Sequence, residues 1–83
     1  MTLQEFKELL YRYNVPEHWY SLEEGLKEDA LVLQNNHGIW EVFHFERGDK
    51  FSLLSFKNVE DAYAYIWDEL KSSLDLFKMP PRY

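Results

Sequence analysis

Apolar residues recur along this chain with two different periods, and the switches between them divide it into elements. Leu3, Phe6, Leu9, Leu10 and Tyr13 fall at helical spacing, with Glu5, Lys7, Glu8 and Arg12 between them, which predicts an amphipathic helix. Thr2-Leu3-Gln4-Glu5 opens it as a capping box, because the Thr2 hydroxyl can accept from the Glu5 amide while Glu5 reaches back. The helix is expected over Thr2–Tyr13, with Asn14 suited to end it and Pro16 blocking continuation. From Gly38 to Phe56 the period is two. Trp40, Val42 and His44 share one strand face; Ile39, Glu41, Phe43 and Phe45 share the other. Glu46-Arg47-Gly48-Asp49-Lys50 interrupts the run, and Gly48 can take the positive φ of a short hairpin loop with a bulge.

A short apolar run, Ala30–Leu33, precedes the turn signal Asn35-Asn36-His37-Gly38. Strands over Ala30–Gln34, Gly38–Glu46 and Lys50–Phe56 then form a three-stranded antiparallel meander. A second helix opens at Asn58, a good N-cap, with Glu60 and Asp61 suited to the dipole of its first turn. Val59, Ala62, Tyr63, Ile66, Trp67, Leu70 and Leu74 make its buried stripe, and Asp61, Tyr65, Asp68, Glu69 and Lys71 look outward. It ends near Leu76, and Met79–Tyr83 cannot extend it past two prolines. Val15–Asp29 is the least regular stretch. Trp19, Tyr20, Leu22 and Leu26 make it a loop packed on the core, with one helical turn.

The order is α-β-β-β-α, an α+β single domain over residues 1–83 with both helices on one face of the sheet. Burying an unpaired Glu41 is costly, so Trp40 and Val42 point inward and Ile39, Glu41, Phe43 and Phe45 line an open face. Such an apolar patch is either covered by the Val15–Asp29 loop, through Trp19 or Leu22, or is a contact surface.

Composition narrows the chemistry. With 83 residues there is room for one core, and with no cysteine there is no disulfide, thiol nucleophile or thiolate metal site. No run approaches a membrane helix and the N-terminus does not read as a secretory signal, so a cytoplasmic protein is expected. Nine basic against fifteen acidic residues give a net charge of −6, a field that repels phosphate backbones and favours basic partners. A sheet face with aromatics can stack bases, but Glu41 and the charge argue against nucleic acid. His18, His37 and His44 lack metal-ligand spacing. Glu23/Glu24 and Asp68/Glu69 are adjacent in sequence and do not face one another as an acid–base pair. No glycine-rich phosphate loop exists. Arg47-Gly48-Asp49 spells an adhesion tripeptide, which turn chemistry explains. No catalysis and no cofactor are expected.

Several short motifs together carry a resemblance: Tyr20-Ser21-Leu22 before Gly25, Trp40-Glu41-Val42-Phe43, Glu46-Arg47-Gly48, and Phe56 ahead of an acidic helix start with Ala62. Over about residues 20–66 the chain resembles small bacterial immunity proteins that accompany polymorphic and contact-dependent toxins. The resemblance implies stoichiometric inhibition of a cognate C-terminal toxin domain. Charge complementarity suits a basic toxin such as a nuclease. Candidate contacts are the acids Glu23, Glu24, Glu28 and Asp29 of the loop, Glu41 on the sheet, and Asp61 and Asp68 of the second helix, with Phe43 and Phe45 as anchors. The protein is expected to be a monomer or weak homodimer. The alternative reading is a non-catalytic adaptor or homodimerising accessory protein.

Overall fold

A computed structural model describes residues 1–77. Helix α1 spans Leu3–Arg12. The capping box forms: the Glu5 amide donates to Thr2 Oγ1 at 3.1 Å and the Thr2 amide donates to Glu5 Oε1 at 2.8 Å. Asn14 takes a φ of 53° beyond the C-cap, which turns the chain out of the helix. A 3₁₀ turn follows at Glu17–Trp19, the single helical turn expected in this stretch. Helix α2 spans Val59–Phe77, and Asn58 Oδ1 accepts from the Glu60 amide at 2.8 Å.

The sheet has four strands, not three: β1 Tyr20–Leu22, β2 Ala30–Asn36, β3 Ile39–Glu46 and β4 Asp49–Phe56, in that spatial order. Strands β2, β3 and β4 form the expected antiparallel meander. Strand β1 pairs parallel to β2, with Ser21 opposite Val32, so the sheet is mixed. The three-stranded antiparallel expectation is corrected on this point. Parallel neighbours need a crossover to bring the chain back, and residues 23–29 supply it.

Both hairpin turns use two central residues with positive φ, His37-Gly38 (53° and 89°) and Arg47-Gly48 (50° and 79°), the geometry that matches strand twist. The expected bulge is therefore absent from the second loop. It lies further along, where Val42 pairs with Leu54 but His44 pairs with Phe51. Ser52 and Leu53 thus oppose Phe43 alone, and Ser52 carries the irregularity with a φ of 55°.

Pairing register sorts the side chains. Leu31, Leu33 and Val42 face the helices and join Phe6, Leu10, Val15, Ala62, Tyr63, Ile66, Leu70 and Leu74 in one core. Trp40 and Phe56 pack against that core half-buried, as do Trp19, Tyr20 and Leu22. Helix α1 meets α2 through stacked Phe6 and Tyr63 rings, centroids 5.4 Å apart. No helix among the described residues is long and apolar enough to cross a membrane.

The far sheet face is not open along its length. Ser21, Ala30, Val32 and Phe43 are buried there, Phe43 completely. The Lys50 ammonium sits 4.8 Å from the Phe43 ring centroid, a cation–π contact. Ser21 Oγ donates to the Gly25 carbonyl at 2.6 Å, which places the crossover on this face. The loop does cover the sheet, but not through Trp19 or Leu22, which pack on the helix side. Phe43 is thereby corrected from an exposed to a buried residue; Phe45 is half-buried.

Candidate functional site

The crossover is short and heavily restrained. The Glu23 amide donates to the Leu33 carbonyl at 2.9 Å as it leaves β1, and the Asp29 amide donates to the Phe45 carbonyl at 2.8 Å as it enters β2. Glu23 and Asp29 both adopt φ of 58°, a left-handed conformation that costs a non-glycine residue roughly 1–2 kcal/mol. A Glu28 carboxylate oxygen accepts from the Arg47 amide, tying the crossover to the β3–β4 turn.

Lys27 is the one Lys or Arg between Glu17 and Asp29. Its ammonium donates to the Tyr20 carbonyl at 2.9 Å and to the Glu17 carbonyl at 3.1 Å. The Tyr20 amide also donates to the Glu17 carbonyl. The backbone of Tyr20, on an edge strand, is therefore occupied, and a lysine in that role keeps strangers from adding to the sheet. This also turns the loop's cation inward. What remains outward is acidic: Glu17, Glu23, Glu24, Glu28 and Asp29 are all exposed. Amid them Leu26 stands 56% exposed. Its apolar side chain suggests packing from sequence alone; in the folded chain it projects from the acidic segment.

The acids act on nearby phenols. The Tyr20 hydroxyl is pushed above its ordinary range by burial first and by Glu17 and Glu24 second. Tyr63 is raised in the same way, by burial and then by Glu23 and Glu60. The negative charge of the crossover therefore reaches round to the start of α2.

The other sequence candidates fall elsewhere. Glu41 lies on the far sheet face, where Gln34 Nε2 donates to it at 2.8 Å and Asn36 Nδ2 at 3.5 Å. The Gln34 hydrogen bond is the main cause holding its carboxyl below the usual range, with Asn36 and Lys50 adding to it. Asp61 and Asp68 are exposed on α2, outside the crossover segment. The fold thus gathers Glu23, Glu24, Glu28 and Asp29 on one segment and leaves Asp61 and Asp68 apart from it.

A second exposed feature is the edge strand β4, where Phe51, Leu53 and Leu54 are 42–49% exposed, with Ile39 of β3 at 39%. No group of three or more histidines and carboxylates among the described residues converges as a metal site. No family model, characterised protein or solved structure matches this chain.

Proposed function

We propose that this chain is an immunity protein that binds a basic toxin domain one-to-one through its crossover and so blocks it. The observation that carries the reading is the inward turn of Lys27, which leaves a fixed acidic segment around an exposed Leu26. A loop held by backbone hydrogen bonds loses little freedom on binding. Acidic groups around it steer a basic partner and reject acidic ones, and an apolar residue within a polar ring is the usual anatomy of an interface centre. The net charge of −6 acts in the same direction, and so does the resemblance of residues 20–66 to toxin-immunity proteins. Inhibition of this kind needs no catalytic group, and the protein works by occupying the surface its target uses.

Co-expression with the C-terminal domain encoded by a neighbouring reading frame tests the reading. Growth should be restored, and a one-to-one complex should be recovered at low salt. Cell death with no complex rejects it.

The exposed apolar side chains of β4 favour a second reading, a homodimerising accessory protein. Its edge carries devices that oppose strand pairing, namely the Ser52 bulge and the flanking Asp49, Lys50 and Lys57. Sedimentation of the isolated chain separates the two: a concentration-dependent dimer abolished by Leu53→Lys supports the accessory reading.

A further inference from the structure

A cleft of about 620 Å³ opens where the crossover enters β2, between the 3₁₀ turn and α2. Its floor is apolar, from Leu31 and Leu70. Around that floor stand Asp29 from the crossover, Glu69 from α2, His18 from the 3₁₀ turn and His44 from β3. No lysine or arginine lines it among the described residues. One Glu69 oxygen accepts from the Tyr65 hydroxyl at 2.7 Å, which fixes the carboxylate at the cleft wall.

We propose that this cleft takes one arginine or lysine side chain from the protein partner. Such side chains have an apolar stem and a charged head, and the cleft has the same two parts. The methylenes lie on Leu31 and Leu70, and the cation pairs with Asp29 and Glu69. The rings of His18 and His44 line the wall beside them, and an imidazole ring nitrogen can accept a hydrogen bond from such a head. Two carboxylates with no lysine or arginine beside them among the described residues repel an acidic side chain and leave an apolar one without a partner for the polar wall. Asp29 belongs to both the crossover and the cleft, so a partner seated on the acidic segment reaches the cleft without a break. The proposal rests on the basic partner argued above, and it adds where that partner's side chain is received.

The test uses the full chain and two arms. In the first, N-acetyl-arginine methylamide is titrated by two-dimensional NMR at low salt, against the uncharged citrulline analogue. The arginine probe should shift the Asp29, His44 and Ser73 amides saturably, and the analogue should not. Asp29→Asn with Glu69→Gln should weaken the probe by about tenfold, whereas Asp61→Asn with Asp68→Asn, the same change in net charge, should weaken it less than about twofold. No saturable shift, equal binding of citrulline, or equal losses in the two double variants overturns the proposal. So does a roughly tenfold gain on Lys78→Ala with Arg82→Ala, which would mean that the chain's own cations compete for the cleft. In the second arm the same variants are measured against the toxin domain. A complex indifferent to Asp29→Asn with Glu69→Gln removes the cleft proposal and keeps the immunity reading. Probe binding at the cleft without any toxin complex does the reverse.

Discussion

Phe43 dominates the far sheet face because no other described residue of its size is wholly buried there. Truncating it to alanine opens a cavity under the crossover and removes the ring beneath Lys50. The expected loss is about 3–5 kcal/mol, against about 1 kcal/mol or less for Phe51→Ala on the exposed edge, both read from chemical denaturation. Tyr65 supplies a second residue-scale test. Its hydrogen bond to Glu69, aided by burial and by the Glu69 charge, pushes the phenol from 10.0 up to about 12. The folded chain thus keeps a proton that the unfolded chain has lost. Stability from this group is complete below about pH 10 and declines as pH rises towards about 12. Absorbance titration of the tyrosinates should show Tyr65 among the late phenols, and Glu69→Ala should return it to an earlier wave.

At the scale of elements, the crossover depends on Lys27. Lys27→Met keeps most of the stem but removes the ammonium from the Tyr20 carbonyl and leaves the Glu17 carbonyl with the Tyr20 amide alone, which should cost about 1–2 kcal/mol. Amide exchange should quicken at Glu23, whose N–H closes the crossover onto Leu33. The same substitution removes a positive charge, so steering alone would make a basic partner associate faster. A fixed loop predicts the opposite for affinity: the complex should weaken, because the segment must then be ordered on binding. Kinetic measurements on this single variant therefore separate charge from preorganisation. The elements differ in how far they can be read from sequence. Both helices announce themselves through local caps, Thr2 with Glu5 and Asn58 with Glu60, and both turns carry a glycine. Strand β1 has three residues, too few to show a period, and its pairing partner lies eleven residues away, from Ser21 to Val32. The burial of Phe43 follows from that pairing and is equally illegible. Leu26 has the chemistry of a core residue, and only the path of the crossover exposes it. Ser52 bears the bulge without the Gly or Asn that marks a left-handed position.

For the whole molecule, charge and contact should separate kinetically. The acids of the crossover are exposed, so their main effect is on encounter, where field strength sets the rate. Replacing Glu23 and Glu24 with glutamine changes the net charge from −6 to −4, by two removed carboxylates, and concentrates that change on the proposed contact. Association with the basic domain should slow and its dependence on salt should flatten, while dissociation changes little. Asp61→Asn with Asp68→Asn makes the same change on α2, outside the crossover, and should reduce the association rate less. Leu26→Ala removes apolar contact without touching charge, so it should leave the salt slope intact and speed dissociation. Stopped-flow measurements at several ionic strengths resolve all three variants. If the two double variants slow association equally, only the net charge matters and the crossover has no special place. If Leu26→Ala leaves dissociation unchanged while protection persists, the contact lies elsewhere on the molecule, and the apolar side chains of β4 become the surface to vary next.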